Sequence, residues 1–519
     1  MIGRAFLIPL FLAAAPSLPA APPILQQRDL GPHAVGFRVI ERYDTSRPFR
    51  FPADLEGRPR KGNTARPIQI GVWYPAQKSP ARPMRLADYV ALMATEQDFT
   101  IPVERRLERG ERTLLSFDLV RNASPDQRRR LLDLETAAVR NAPAAPGRFS
   151  LILWSLGSPA IYQGNAEYLA SHGYVVAIAP RVPPSRGLAD TLPARIDYES
   201  KARDMAFLID AMAEFPAADT QRIGTVGFSA GGRWALAEAM RNPNVRAVAS
   251  LDTIMLFDDD GGQFLSMPFV HPDRMRVPVV HLVRREWVPR ETSKLWEQMR
   301  YADRTAYVFE DSKLDHLDFV SIGYATVLAG ARPEAAEAVA HTFRFVNELL
   351  RGFFGAHLSG SRAAAVRLAT LERTAGLPAN FVTASRLPGS SAAFTDEQVQ
   401  DALTDDVPGT LRAIRRVWKE TGKPPVAEGT LNLAGYGLLA TDRVPEGVEV
   451  LSFNAELFPE SANVYDSLSD AYIRAGDTRR ALELAEKCLA LLPKDSSTPE
   501  RKELIRRSAE EKVARLKKN

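Results

Sequence analysis

The stretch of this chain best suited to chemistry reads Ile223-Gly-Thr-Val-Gly-Phe-Ser-Ala-Gly-Gly-Arg. Within it, Gly227-Phe228-Ser229-Ala230-Gly231 matches G-x-S-x-G, between an apolar strand-like run and an Ala-rich helix-like run. In that context a serine sits on a tight strand-to-helix turn, with its hydroxyl raised as a nucleophile. Side chains at Gly227 or Gly231 would collide with the turn. The N-terminus of the following helix offers free amides and a dipole to a developing oxyanion. A serine hydroxyl is a poor nucleophile without a base, and on such a turn the acid and then the histidine follow in chain order. Asp252 directly follows the apolar run 247–251, and His316 follows the run 306–309 within Glu310-Asp-Ser-Lys-Leu-Asp-His-Leu-Asp-Phe319. We therefore expect Ser229 as nucleophile, His316 as base and Asp252 as the acid that holds the imidazole tautomer. One oxyanion donor should be the backbone N–H of Ala230. The other should come from Ser155-Leu-Gly-Ser-Pro159, after the run 149–154. The rival carboxylates Asp258, Asp259 and Asp260 read as a solvated loop. His281 lies inside an apolar run and reads as a core histidine. His172 reads as a helix end, where a cationic or polar side chain suits the dipole.

These residues need a scaffold. Runs 149–154, 174–179, 223–228, 247–251 and 277–283 are continuously apolar and read as strands, with a shorter one at 306–309. Helical patterns at 165–171, 198–215, 233–241, 294–302 and 335–354 alternate with them, and Gly173 stands where a helix-ending glycine belongs. Strands apolar on both faces, alternating with helices, predict an α/β fold with a mostly parallel sheet covered on both sides. Two earlier strands are expected at 35–40 and 68–74, joined by a Pro/Gly/Arg-rich loop. Residues 84–140 are rich in Leu, Ala, Arg and Glu, with Leu131, Leu132, Leu134 and Ala138 at helical spacing. They read as a helical insertion, either scaffold or a lid over a pocket.

Beyond Gly355 the strand pattern is expected to stop, with a low-pattern bridge over 356–394. A 34-residue period follows: Pro425, Pro459 and Pro493 mark it, and Ala413, Gly447 and Ala481 keep one offset from those prolines. The unit 460–493 resembles a tetratricopeptide repeat, with paired helices, a small residue where they touch and a proline at the boundary. Residues 395–519 are thus expected to be all-α repeats, closed by a polar capping helix at 498–518 and offering a surface for a protein partner. Cys488 reads as a small buried apolar residue rather than a reactive thiol.

Composition narrows the function. The chain has 519 residues, enough for two to four domains, with 45% apolar and 25% charged residues. A net charge of +4 over this length gives no electrostatic case for nucleic-acid binding. One cysteine excludes an intrachain disulfide framework and any multi-cysteine zinc site. None of the seven histidines has HExxH-type spacing, so no metal is expected. The N-terminus has Arg4, then a short apolar stretch over 5–15, then small residues and prolines. This predicts a signal peptide over 1–21, too short for a transmembrane helix, and an exported protein, periplasmic or secreted.

With these residues in place, 31–355 resemble α/β-hydrolases of the dienelactone-hydrolase-like and platelet-activating-factor-acetylhydrolase-like group. The resemblance rests on Gly31-Pro with Val35-Gly-Phe-Arg, Gly71-Val-Trp-Tyr-Pro-Ala76, Leu169-Ala-Ser-His-Gly-Tyr-Val-Val176, and the G-x-S-x-G turn followed by Ser-Leu-Asp252. It implies a cofactor-free carboxylic-ester hydrolase acting on a small or lipid-like ester. It also implies Ser229, Asp252 and His316 as the triad, with the Ala230 and Ser158 amides as the oxyanion hole. Two positions depart from the family pattern. Leu156-Gly157 replaces a His-Gly pair, and Arg181 replaces an Asp after Ala-Pro. Arg181 could line the pocket or lie on the surface, and substrate identity does not transfer. The alternatives are a peptidase or acyltransferase with the same triad, and a hydrolase-like binding protein acting through its repeats.

Overall fold

The computed structural model describes residues 23–51, 53, 56–59, 62–184, 194–257, 263–389 and 394–518. The expected signal peptide and Asp258, Asp259 and Asp260 lie outside the described residues. The chain divides into two units, Met1–Gly389 and Ser390–Asn519.

In the first unit the described strands form one ten-stranded sheet. They are β1 (Ala34–Pro48), β2 (Ala65–Ala76), β3 (Ala138–Arg140), β4 (Phe149–Trp154), β5 (Val175–Ile178), β6 (Ala218–Ser229), β7 (Val245–Thr253), β8 (Val279–Arg284), β9 (Arg304–Phe309) and β10 (Val382–Leu387). Their order is β10-β9-β8-β7-β6-β4-β5-β2-β1-β3. The block from β5 to β9 is parallel, while β2 joins β5, and β1 joins β2, in antiparallel fashion. The mostly parallel sheet is therefore as expected, and the apolar strands explain it. Leu151 and Leu153 enter one core with Met205 and Leu208 of helix Ala194–Ala213 and Leu236 of helix Gly231–Arg241. Ile152 and Trp154, one residue out of phase, enter the other with Leu169 of helix Pro159–Ser171 and Phe345 of helix Ala336–Leu358. Successive side chains point to opposite faces, so a strand buried on both sides must be apolar throughout.

Two expectations need correction. Residues 356–394 are not a patternless bridge. The long helix runs on to Leu358, helix Arg362–Thr374 follows, and β10 pairs antiparallel with β9. Strand β10 is mostly exposed and polar, Val-Thr-Ala-Ser-Arg-Leu, as suits an edge strand, and that composition hides it among loop residues. The 84–140 insertion is helical, with helices Leu86–Val90, Val103–Leu114, Asp118–Arg121 and Pro125–Asp133, but it ends in the sheet. Ala138 belongs to β3, parallel to β1, rather than to a helix.

The second unit is all-α in its described residues. Helices Asp396–Asp405, Val407–Thr421, Glu428–Ala440, Val444–Leu457, Ala462–Arg474 and Thr478–Leu491 precede the terminal helix Pro499–Leu516. Close approach is allowed by small residues: a Cβ on Gly447 would meet Leu439, and the Ser469 hydroxyl donates to the Ala481 carbonyl at 2.7 Å. Cys488 is fully buried, and burial pushes its thiol up to about 12, so it is an apolar core residue. Among the described residues no helix is long and apolar enough to cross a membrane.

Candidate active site

Ser229 is the last residue of β6, on the turn into helix Gly231–Arg241. Its φ is +55°, a left-handed conformation that a non-glycine residue adopts under strain. The flanking glycines permit the turn. A Cβ on Gly227 would lie 2.5 Å from the Gly231 carbonyl oxygen, and one on Gly231 would lie 2.8 Å from the Ser155 oxygen.

Asp252 sits near the end of β7, two strands from β4, with its carboxyl fully buried. Its Oδ1 accepts the Arg284 backbone N–H at 3.0 Å, and its Oδ2 accepts Arg284 Nε at 2.9 Å. The same Oδ2 lies 2.7 Å from His316 Nδ1. His316 opens the short turn His316–Phe319, which is capped by the Asp315 side chain. Its ring stacks on Phe228 at 4.4 Å and on Trp287 at 4.6 Å, and the Arg284 guanidinium covers Trp287 at 4.9 Å. The imidazole is thus held by two aromatic rings and at Nδ1, and Nε2 is open among the described residues. Among the described residues Ser229 Oγ makes no hydrogen bond. Such contacts often tighten only when substrate is bound.

The loop after β4 has one amide to offer. The Ser155, Leu156 and Gly157 N–H groups donate to Val226, Trp154 and Ala179, and Pro159 has none. The Ser158 amide donates to nothing among the described residues, nor does that of Ala230. Leu156, which stands in the family's histidine position, is buried at φ +55°. The loop is tied to the serine turn by the Ser155 hydroxyl, which donates to the Gly231 carbonyl at 2.6 Å.

The rival histidines are occupied. His281 is fully buried, with Nδ1 at 2.8 Å from Ser250 Oγ and Nε2 at 2.6 Å from Glu291. His172 caps helix Pro159–Ser171, with Nδ1 2.8 Å from the Tyr168 carbonyl. Burial lowers it to about 4, so it is a neutral cap and not the cation that suits a dipole. Arg181 is exposed, 3.8 Å from Asp197 and 5.3 Å over the Trp234 ring.

Three neighbours went unforeseen. Arg284 ends the fully buried strand β8, and a charged residue closing a buried strand was the available signal. Trp287 carries no such signal, since an aromatic residue in a loop suits many roles. Glu96, from the insertion, has a carboxyl oxygen shut off from solvent without a partner. Its carboxyl faces the Ser158 hydroxyl and the Tyr162 phenol, and burial pushes it up to about 7.

No protein-family model matches the chain, and no curated protein matches it. A solved structure to which it is similar is a ferulic acid esterase from Streptomyces cinnamoneus. That match is 18% identical, covers 70% of this chain and 99% of the other, and has a TM-score of 0.46. This likeness carries no inference about activity.

Proposed function

We propose that the first unit is an α/β-hydrolase of the dienelactone-hydrolase-like group, and that it works as a serine esterase on small-molecule or lipid-like esters. The observation that carries this is the 2.7 Å contact between Asp252 and His316, with His316 Nε2 left open and Ser229 on its strained turn. Ser229 Oγ attacks the ester carbonyl carbon as its proton passes to His316 Nε2. Asp252 stabilises the resulting imidazolium. The Ala230 and Ser158 amides hold the tetrahedral oxyanion. Collapse breaks the bond to the alcohol oxygen, which takes the proton from His316 and departs. Water then attacks the acyl carbonyl carbon as its proton passes to His316. The bond to Ser229 Oγ breaks, His316 returns the proton to Oγ, and the acid leaves. No step calls for a cofactor.

The expected signal peptide makes this an exported enzyme, periplasmic or secreted. The second unit reads as tetratricopeptide-like repeats with a terminal capping helix. Its 34-residue period coincides with successive helix pairs, and its surface suits a protein partner. The test is labelling with a fluorophosphonate, which traps an activated serine. The purified chain should label at one site and hydrolyse p-nitrophenyl acetate, and Ser229→Ala should abolish both. A Ser229→Ala protein that still labels and turns over would overturn the assignment.

A further inference from the structure

We propose that Glu96, carried by the insertion against the loop after β4, is a positioning residue that supports acyl transfer only as the neutral acid. The proposal rests on the esterase reading above. Glu96 is half-buried, and its carboxyl oxygen Oε1 is closed off from solvent with no hydrogen-bond partner among the described residues. The Ser158 hydroxyl, which faces that carboxyl, is likewise buried without a well-formed hydrogen bond. From the next helix the Tyr162 phenol faces it, and the Tyr162 ring also packs against Gly157 and, at 5.0 Å, against Trp154. Burial raises the Glu96 carboxyl, and the Ser158 hydroxyl favours its ionised form.

An unpaired carboxylate is costly to bury, so the neutral acid is the form that this wall accommodates. Burial holds the group protonated up to about pH 7. Above that, a negative charge forms beside the residue whose backbone amide is to receive the oxyanion. A like charge that close slows formation of a second one by about tenfold or more. The acid therefore ties the insertion to the reaction through its protonation state, on the alkaline side.

The experiment uses the full chain with p-nitrophenyl acetate, measuring kcat and kcat/KM from pH 5.5 to 9.5, with Ser229→Ala rates subtracted. The wild type should lose about tenfold in kcat above pH 7, and Glu96→Gln, a neutral isostere, should keep its rate. Ser158→Ala keeps the backbone amide but removes the hydroxyl that favours ionisation, so its alkaline limb should move to higher pH. Thermal melts at pH 6 verify that both variants fold. An alkaline limb absent from the wild type, or unmoved in both variants, overturns the role of Glu96. Fluorophosphonate labelling at pH 6 separates the two failures. Labelled Ser229 with an unmoved limb overturns this inference alone, and no labelling in any protein overturns the esterase reading together with it.

Discussion

At the scale of single residues, the centre depends on how many partners each polar atom has. Asp252 is fully buried, yet it accepts two donors from Arg284 and faces His316, so its charge is compensated on every side. An amide there would present a donor to one of those donors and invert the imidazole tautomer. Asp252→Asn should therefore lower kcat by about 10⁴-fold, the scale of the comparable protease substitution, with little change in KM. Steady-state kinetics on p-nitrophenyl acetate decide it, and a loss under tenfold would point to a different acid. The same attention to partners separates His316 from His281. Both are close to a carboxylate, but both His281 ring nitrogens are engaged inside the core.

At the scale of elements, the site is a set of strand ends held in register by turns with no room to spare. Gly227 lies where β6 turns into the helix, and a methyl group there would meet backbone at 2.5 Å, which cannot swing aside as a side chain could. Gly227→Ala should cost about 1–3 kcal/mol, as overpacking does, and should lower kcat more than it raises KM. A thermal melt together with the kinetics reads both effects. The insertion is anchored rather than loose on its inner face. Leu86, Tyr89, Val90 and Leu134 are fully buried in the main core. Tyr89 donates to Glu167 at 2.7 Å and accepts Trp73 Nε1 at 2.9 Å, and the Ala137 N–H reaches the other Glu167 oxygen at 2.7 Å. That inner face is scaffold. Burial raises Glu167 from the usual carboxylate range to about 7. A raised acid contributes stability below its unfolded pKa and loses that contribution as pH climbs through the folded value. Relative to Glu167→Gln, the wild type should therefore lose roughly 3 kcal/mol between pH 4.5 and 8. Paired denaturant melts at the two pH values measure this, and a constant gap between the proteins would refute it. Comparison with the variant is required because Glu96 titrates in the same window.

At the scale of the whole molecule, the division falls at Gly389–Ser390, so helix Arg362–Thr374 and β10 belong to the first unit. A chain ending at 389 keeps β10 paired to β9 and should fold cooperatively, with Ser229 still labelled by fluorophosphonate. A chain ending at 355 loses helix Arg362–Thr374 and leaves the β9 edge open, so it should aggregate. Expression of both, followed by size-exclusion chromatography, tests the boundary. If the 355 form is soluble and labelled, β10 is dispensable.

Local pattern alone determined much of this protein. Apolar runs specify strands that must be buried on both faces. Their alternation with helices specifies the parallel sheet, and the glycines around Ser229 specify a turn that only glycine fits. Each of these runs and turns is short, so chain connectivity enforces its local geometry. The 34-residue period reaches further, but it too is a repeated local rule. Only the tertiary structure decided what depends on residues far apart in the chain. Arg284 meets Asp252 and Trp287 covers His316 because β7, β8 and the loop after β9 end side by side. Strand β10 counts as a strand only because β9 has an open edge to fill. Glu96 carries no motif and gains its chemistry from the burial of its carboxyl beside Ser158. A charge's environment is set by what packs around it, and packing across the sheet is not written in any one segment.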